Sequence, residues 1–134
     1  MRLKQLSGYI HKQLLVKANN KTVKAALSAV EDLVNVTPVD TSKALSNWLV
    51  SAGSLTDKSV NAHYAGSYAS TKYISQGATI NEALKQLAKR QFGQKIFIQN
   101  NVEYIKNLDE GSSSQFAGGF SERAISIIRS TLNE

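Results

Sequence analysis

The most informative stretch of the chain runs from Ile96 to Phe120 and reads IFIQNNVEYIKNLDEGSSSQFAGGF. Its first triplet, Ile96–Ile98, consists of strand-forming residues, and the polar Gln-Asn-Asn that follows predicts a corner. Apolar residues within 104–108 share one helical face, so we expect a short helical turn there. Gly111 then ends this turn, because a glycine supplies the left-handed backbone at a helix C-terminus. The stretch indicates a strand, a turn and a loop rather than catalytic chemistry.

A polar, glycine-rich loop follows the helical turn. Ser112–Gln115 is polar, and the pair Gly118-Gly119 can lie close to another backbone because glycine has no Cβ atom. This composition predicts an intersubunit contact. The candidate contact residues in the loop are Gln115, Phe116, Gly118 and Gly119.

A second stretch, TPVDTSKALSNW at Thr37–Trp48, contains local signals for a short helix and for the strand that follows it. Pro38 keeps the residue before it out of helical geometry, and Asp40 can cap a short helix that contains residues 44–45. Trp48 then opens a strand in which alternate side chains enter the core, which makes Trp48 a predicted core anchor rather than a ligand platform.

Together, these two stretches resemble the small head-tail joining proteins of tailed bacteriophages, the neck and tail-completion proteins. Ser42, Asp109 and Ala117 stand where that family usually has Gly, Glu and Pro. The first stretch matches the family at Thr37, Pro38, Val39, Asp40, Thr41, Leu45 and Trp48. The second matches it at Ile96, Ile98, Asn100, Tyr104, Leu108, Gly111, Ser113, Gln115 and Gly119.

The resemblance implies a structural subunit of the bacteriophage neck, either a head-tail connector or a tail-completion ring, that joins the DNA-filled capsid to the tail. Such subunits form a closed ring, a hexamer or a dodecamer, around the DNA channel. The implied partners are further copies of the chain, neighbouring neck, portal-side or tail-tube proteins, and DNA in the channel. The implied location is the virion, at the neck or tail end, after assembly in the host cytoplasm. The resemblance implies no cofactor.

The patterns of the whole chain predict one α+β domain over residues 1–134. A long N-terminal helix and further helices are expected to pack on a small antiparallel sheet. The sheet should contain strands near 48–53 and 94–99, with one or two more strands from the central region.

Two later helices are expected from apolar periodicity. The Thr-x-x-Glu pattern at Thr79–Glu82 has the form of a capping box and predicts a helix that starts there and runs through Arg90. Its inward residues should be Ile80, Leu84 and Leu87. A last amphipathic helix is expected over 121–132, with Ile125, Ile128 and Leu132 inward.

Residues 53–77 are rich in Ser, Ala, Gly and Tyr and predict a long loop or flexible arm. Tyr64, Tyr68 and Tyr73 are candidate interface residues, because tyrosine offers a large contact area at a small cost in side-chain entropy. The alternative is that these tyrosines pack on the sheet of their own subunit.

Charge is concentrated at the N-terminus. Residues 1–30 contain six basic and no acidic residues, whereas the rest contains ten of each, so the net charge of +6 belongs to this segment. Its apolar residues recur with helical spacing, and Asn19-Asn20 is expected to break or kink the helix. The residues that could bind DNA or an acidic protein are Lys12, Lys17, Lys21 and Lys24. A solvated helix face is the simpler interpretation. The alternative function is a small nucleic-acid-binding protein that acts through this helix.

No enzyme signature emerges, so we expect a protein that is not an enzyme. His11 and His63 lack the neighbouring carboxylate and nucleophile of a catalytic or metal site. The chain contains no cysteine, which excludes disulfides and thiolate ligands. No apolar run approaches the ~20 residues of a membrane span, so no membrane partner is expected. The first residues lack the apolar core of a secretory signal.

Overall fold

The computed structural model describes residues 3–37, 43–64, 71–103, 105–106 and 119–134, with side chains from residue 20 onward. The elements are α1 (Leu3–Val36), α2 (Lys43–Ser46), β1 (Leu49–Ala52), α3 (Lys72–Ala88), β2 (Ile96–Gln99) and α4 (Phe120–Leu132). The predicted α+β fold, with a long N-terminal helix and further helices on a small antiparallel sheet, is confirmed.

Helix α1 is one continuous helix of 34 residues, about 50 Å long. It passes through Asn19-Asn20, so the predicted break is wrong. An asparagine in a helix costs at most about 0.7 kcal/mol relative to alanine, and helical neighbours on both sides outweigh two such residues. The buried side of α1 is formed by Ala25, Ala26, Ala29, Val30, Leu33 and Val34. The alanines allow neighbouring elements to approach α1 closely.

The sheet consists of β1 and β2, which pair antiparallel with Leu49 opposite Gln99 and Ala52 opposite Ile96. Gly53 extends the ladder by one bond, since its N–H donates to the Lys95 carbonyl oxygen at 2.8 Å. Gly53 has a φ of +90°, and a Cβ there would lie 3.2 Å from the Gln94 side chain. A glycine therefore suits the point where the chain leaves β1.

The central region contributes no third strand within its described residues, so that part of the prediction is wrong. Residues 53–64, the tethered segment, contain no helix or strand and are held by side-chain amides. The Asn47 amide donates to the Val60 carbonyl oxygen at 2.8 Å and accepts from the Val60 N–H at 2.7 Å. The Gln99 amide makes the same pair of bonds with Thr56, at 3.1 and 2.9 Å. Side chains thus replace the ladder that a strand would have needed.

Helix α3 begins at Lys72, seven residues before the predicted capping box. Thr79 is therefore inside the helix, where its hydroxyl donates to the Ser75 carbonyl oxygen at 2.8 Å. The predicted face is also partly wrong, because Leu84 is 43% exposed while the inward position is taken by Ala83. A small residue at this position lets α3 lie close beside β1.

Helix α4 confirms the position of the predicted last helix and corrects its inward face. It packs along α1 through Phe120 and Thr131, which are buried, and Ala124, which is half-buried. Ile128 is half-buried. Ile125 and Leu132 are exposed instead, at 48% and 44%, so they do not point inward as predicted.

Candidate functional site

The two stretches that carry the phage resemblance meet in one packed cluster. The rings of Trp48 and Phe120 contact each other edge to face, with centroids 5.2 Å apart. The Trp48 indole N–H donates to the Thr37 hydroxyl at 2.7 Å, and the Asn100 amide donates to the Ala44 carbonyl oxygen at 2.8 Å. We call this cluster the Trp48 junction; it consists of Thr37, Ala44, Leu45, Trp48, Asn100 and Phe120. It joins α1, α2, the sheet and the start of α4.

Several other matched residues lie outside the part of the chain that the structure describes. The predicted cap at Asp40 and the predicted helix end at Gly111 are among them. The full set is Pro38, Val39, Asp40, Thr41, Tyr104, Leu108, Gly111, Ser113 and Gln115. Of the loop contacts, Gln115, Phe116 and Gly118 also lie outside it. Gly119 is described and has a φ of +85° at the N-terminus of α4, a backbone conformation that favours glycine.

An exposed aromatic and apolar surface lies at the start of α3. Tyr73 is 82% exposed and Ile74 56% exposed, and both lie in the first turn of the helix. Tyr64 is 49% exposed, and its backbone N–H donates to the Ser75 hydroxyl at 3.2 Å, which places it beside the same turn. We call Tyr64, Tyr73 and Ile74 the tyrosine patch. The prediction that Tyr73 belongs to a loop is wrong, and Tyr68 lies outside the described residues.

Two of the four predicted DNA-contacting lysines already contact Glu134 within the chain. The Lys24 ammonium contacts the Glu134 carboxylate at 2.7 Å, and the Lys21 ammonium donates to the Glu134 carbonyl oxygen. Lys12 and Lys17 lie on α1, and their side chains are outside the described part. The contacts at Glu134 hold the residues that follow α4 against the middle of α1.

The Lys24–Glu134 contact predicts a pH dependence. Its hydrogen bond and the opposite charge of Lys24 lower the pKa of Glu134 below its ordinary value of 4.5. A lowered pKa stabilises the native state above pH 4.5, and that contribution disappears as the pH falls through the native pKa. Both side chains are exposed, so the effect on stability is small.

Lys24→Gln should therefore raise the titration midpoint of Glu134, measured from its side-chain carboxyl resonance by NMR. The difference in melting temperature between Lys24→Gln and the wild type should vanish in acid. Lys85→Gln, on exposed α3 surface, is the control and should leave the Glu134 midpoint in place. An unchanged midpoint in Lys24→Gln would show that the contact does not persist in solution.

A second ion pair, which the sequence did not predict, fastens α4 to α1. The Arg123 guanidinium donates to both oxygens of the Asp32 carboxylate, at 2.9 and 2.7 Å. The hydrogen bond to Asp32 and its charge raise the pKa of Arg123 above its ordinary value. The two residues are 91 positions apart, and no local pattern connects them.

A cavity of about 390 Å³ lies between β1, α3 and the tethered segment. Its lining includes Lys58, His63, Glu82 and Ser51, a grouping that the sequence did not predict. The Glu82 carboxylate accepts a hydrogen bond from the Gln86 amide at 3.1 Å, and the His63 backbone N–H donates to the Ser46 hydroxyl at 3.0 Å. The Glu82 bond lies within α3, whereas the His63 bond connects the tethered segment to α2.

The described residues offer neither a metal-binding cluster nor a helix that could span a membrane. They contain no cluster of three or more His, Cys, Asp or Glu side chains that could hold a metal ion. No helix within them is both long enough and apolar enough to span a bilayer. Comparisons of the chain with family models, with curated proteins and with solved structures found no match.

Proposed function

We propose that this protein is a structural virion subunit of the bacteriophage neck, a head-tail connector or tail-completion ring that joins the DNA-filled capsid to the tail. Its proposed partners are further copies of itself and the neighbouring neck, portal-side or tail-tube proteins, with DNA in the channel. Its proposed location is the neck or tail end of the virion, after assembly in the host cytoplasm. The proposed role is non-enzymatic.

The observation that carries this proposal is the Trp48 junction. The resemblance rests on two sequence stretches separated by about fifty residues, and a chance pair of motifs need not meet in the fold. Thr37, Trp48 and Asn100 belong to the matched positions, and each forms a hydrogen bond across a boundary between elements. These hydrogen bonds give a structural reason for the spacing of the matched residues in the sequence.

The tyrosine patch is the best described candidate for the contact between subunits. A ring requires a heterologous contact, in which one surface of each copy meets a different surface of the next. Large aromatic side chains dominate such contacts because they bury much area at little entropic cost. Tyr73 has almost no contact within its own subunit, since 82% of its surface is exposed.

The double substitution Tyr73→Ser/Ile74→Ser tests this assignment. We expect the wild-type protein to form a closed ring of about six or twelve copies, alone or on added neck proteins, and the variant to remain a monomer. Mass photometry and negative-stain imaging measure the assembly, and far-UV circular dichroism confirms that the variant is folded. The fold should survive because both side chains are mostly exposed.

Phe92→Ser is the matched control, because Phe92 is 62% exposed but lies in the turn beyond the other end of α3. This variant should assemble like the wild type. A double variant that still forms rings would remove the tyrosine patch from the interface. A wild-type protein that stays monomeric with and without neck proteins would contradict the proposed function itself.

A further inference from the structure

A continuous groove separates β2 from α4. Two adjacent cavities, of about 350 and 230 Å³, share Trp48, Ile98, Phe120 and Ser121 in their linings. The first is also lined by Leu33 of α1 and by Ile125 and Ile128 of α4. Helix α3 packs beside β1, whereas α4 packs along α1 and faces β2 across these cavities. We call this depression the β2–α4 groove.

The edge of β2 that faces away from β1 carries backbone groups that pair with no strand among the described residues. In an antiparallel pair, alternate residues direct their N–H and C=O groups towards the partner strand. The bond from Gly53 N–H to Lys95 C=O identifies residues 95, 97 and 99 as the ones that bond to β1. Ile96 and Ile98 therefore direct their backbone groups outward, and no other described strand pairs with them. An unpaired strand edge is a template for another strand.

The side chains along the groove are apolar and would favour a bound strand with apolar residues at alternate positions. Ile96, Ile98, Ile105 and Phe120 line it from the sheet side and the adjoining turns. Ile125 and Ile128 form the opposite wall, and Ile125 remains 48% exposed although it faces this apolar channel. A bound strand directs every second side chain to the same face, which fits a row of apolar contacts of this kind.

One end of the groove carries a positive charge. Lys106 lines the smaller cavity together with Asn100 and is the one charged side chain among the described residues that line either cavity. It lies close to the C-terminal end of β2, beyond Ile98. A segment that carries a carboxylate at that end would be complementary to Lys106 in charge.

We propose that the β2–α4 groove binds an extended segment of a partner protein. The segment adds to β2 as a third strand, places alternate apolar side chains between Ile98 and Ile125, and sets a carboxylate beside Lys106. Its backbone bonds to Ile96 and Ile98 provide affinity, and the pockets for alternate side chains provide specificity. This site goes beyond the proposed neck function and does not depend on it.

Selection from a displayed library of fully randomised seven-residue peptides, with the purified full chain as target, tests the site. The enriched peptides should alternate apolar and polar residues and carry Asp or Glu at one end. Binding of the synthesised peptides should change the fluorescence of Trp48, the chain's one tryptophan, because Trp48 lines both cavities. N-methylation of alternate peptide amides should weaken binding by tenfold or more, since it removes strand bonds.

Two substitutions in the groove make the test specific. Ile125→Lys should weaken binding by about tenfold or more while the fold is kept, because the side chain is half-exposed. Leu84→Lys is the control, with a similar exposure on α3 far from the groove, and should bind like the wild type. Lys106→Glu should reverse the end preference, so that peptides with Lys or Arg at that end replace the acidic ones.

Three results would overturn the proposal. One is a selection that enriches no peptide, and another is a set of binders that Ile125→Lys retains. The third is a protein that is already dimeric without peptide and whose Ile96 and Ile98 amides are protected from hydrogen exchange in a concentration-dependent way. That result would identify a second copy of the chain as the occupant.

Discussion

Trp48→Ala should lower the free energy of unfolding by about 3 to 5 kcal/mol, the range found when a buried tryptophan is truncated. Trp48 is 8% exposed, packs edge to face on Phe120 and donates to Thr37. Truncation would open a cavity where α1, the sheet and α4 meet. Because a domain of this size has about 5 to 15 kcal/mol of stability in total, this loss is a large share of it and should lower the urea midpoint and the melting temperature clearly.

Two milder substitutions separate packing from hydrogen bonding at this site. Trp48→Phe keeps an aromatic ring beside Phe120 and removes the indole N–H, and Thr37→Val removes its acceptor. Urea denaturation of both single variants and the double variant should give a coupling energy of about 1 kcal/mol, the typical net value of a buried hydrogen bond. If the midpoint of Trp48→Ala matched that of the wild type, the Trp48 junction would not be the centre of the core.

The sequence was sufficient to predict those elements whose signals are local. The strand at β1, the short helix α2 before it and the inward position of Trp48 follow from a proline, alternation and β-propensity within a dozen residues. The strand β2 and the helix α4 also have local signals. Each of these predictions is borne out, with boundaries that move by one residue or a few.

The tethered segment could not be predicted, because the bonds that hold it come from distant residues. Asn47 and Gln99 are 13 and 43 positions from the residues whose backbone they bind. In sequence, an asparagine beside a tryptophan and a glutamine at a strand end indicate only a turn or a polar edge. The pairing of an amide side chain with a backbone segment depends on where the tertiary fold places the two, and no periodic pattern in the sequence indicates it.

The errors in helix boundaries and faces have a related physical origin. Helix α3 begins seven residues before Thr79, and its buried face includes the small residues Ser75 and Thr79, whose hydroxyl groups are hydrogen-bonded within the structure. Hydrophobic periodicity predicts that Leu84 points inward, but in the structure the buried residue at this place is Ala83, which lets α3 pack closely beside β1. The exposure of Ile125 has a different explanation in the proposed β2–α4 groove, where an isoleucine at this position would contact a bound strand.

Asn47→Ala should destabilise the protein nearly as much as Trp48→Ala, with a loss of about 3 kcal/mol in the free energy of unfolding. Asn47 is fully buried, and its amide bonds to both backbone groups of Val60 and to the Lys43 carbonyl oxygen at 2.7 Å. Alanine would leave these groups without partners in a partly buried site, which costs about 1 to 3 kcal/mol for each unsatisfied group. Hydrogen exchange at the Val60 amide should accelerate more than at β1.

Asn61→Ala provides a control within the same segment, because Asn61 is exposed, and should leave stability nearly unchanged.

Asn47→Asp gives a sharper test of the mechanism. A carboxylate keeps the acceptor for the Val60 N–H, loses both donated bonds and places a charge in a buried site. Burial raises the pKa of such a carboxyl, so the native state prefers it protonated, and the deficit relative to the wild type should shrink as the pH falls towards about 4. The protonated carboxyl can again donate one hydrogen bond to a carbonyl oxygen. A deficit that stays constant from pH 8 to pH 4 would mean that the aspartate side chain reaches solvent, and that the tethered segment is not held by a buried amide at this position.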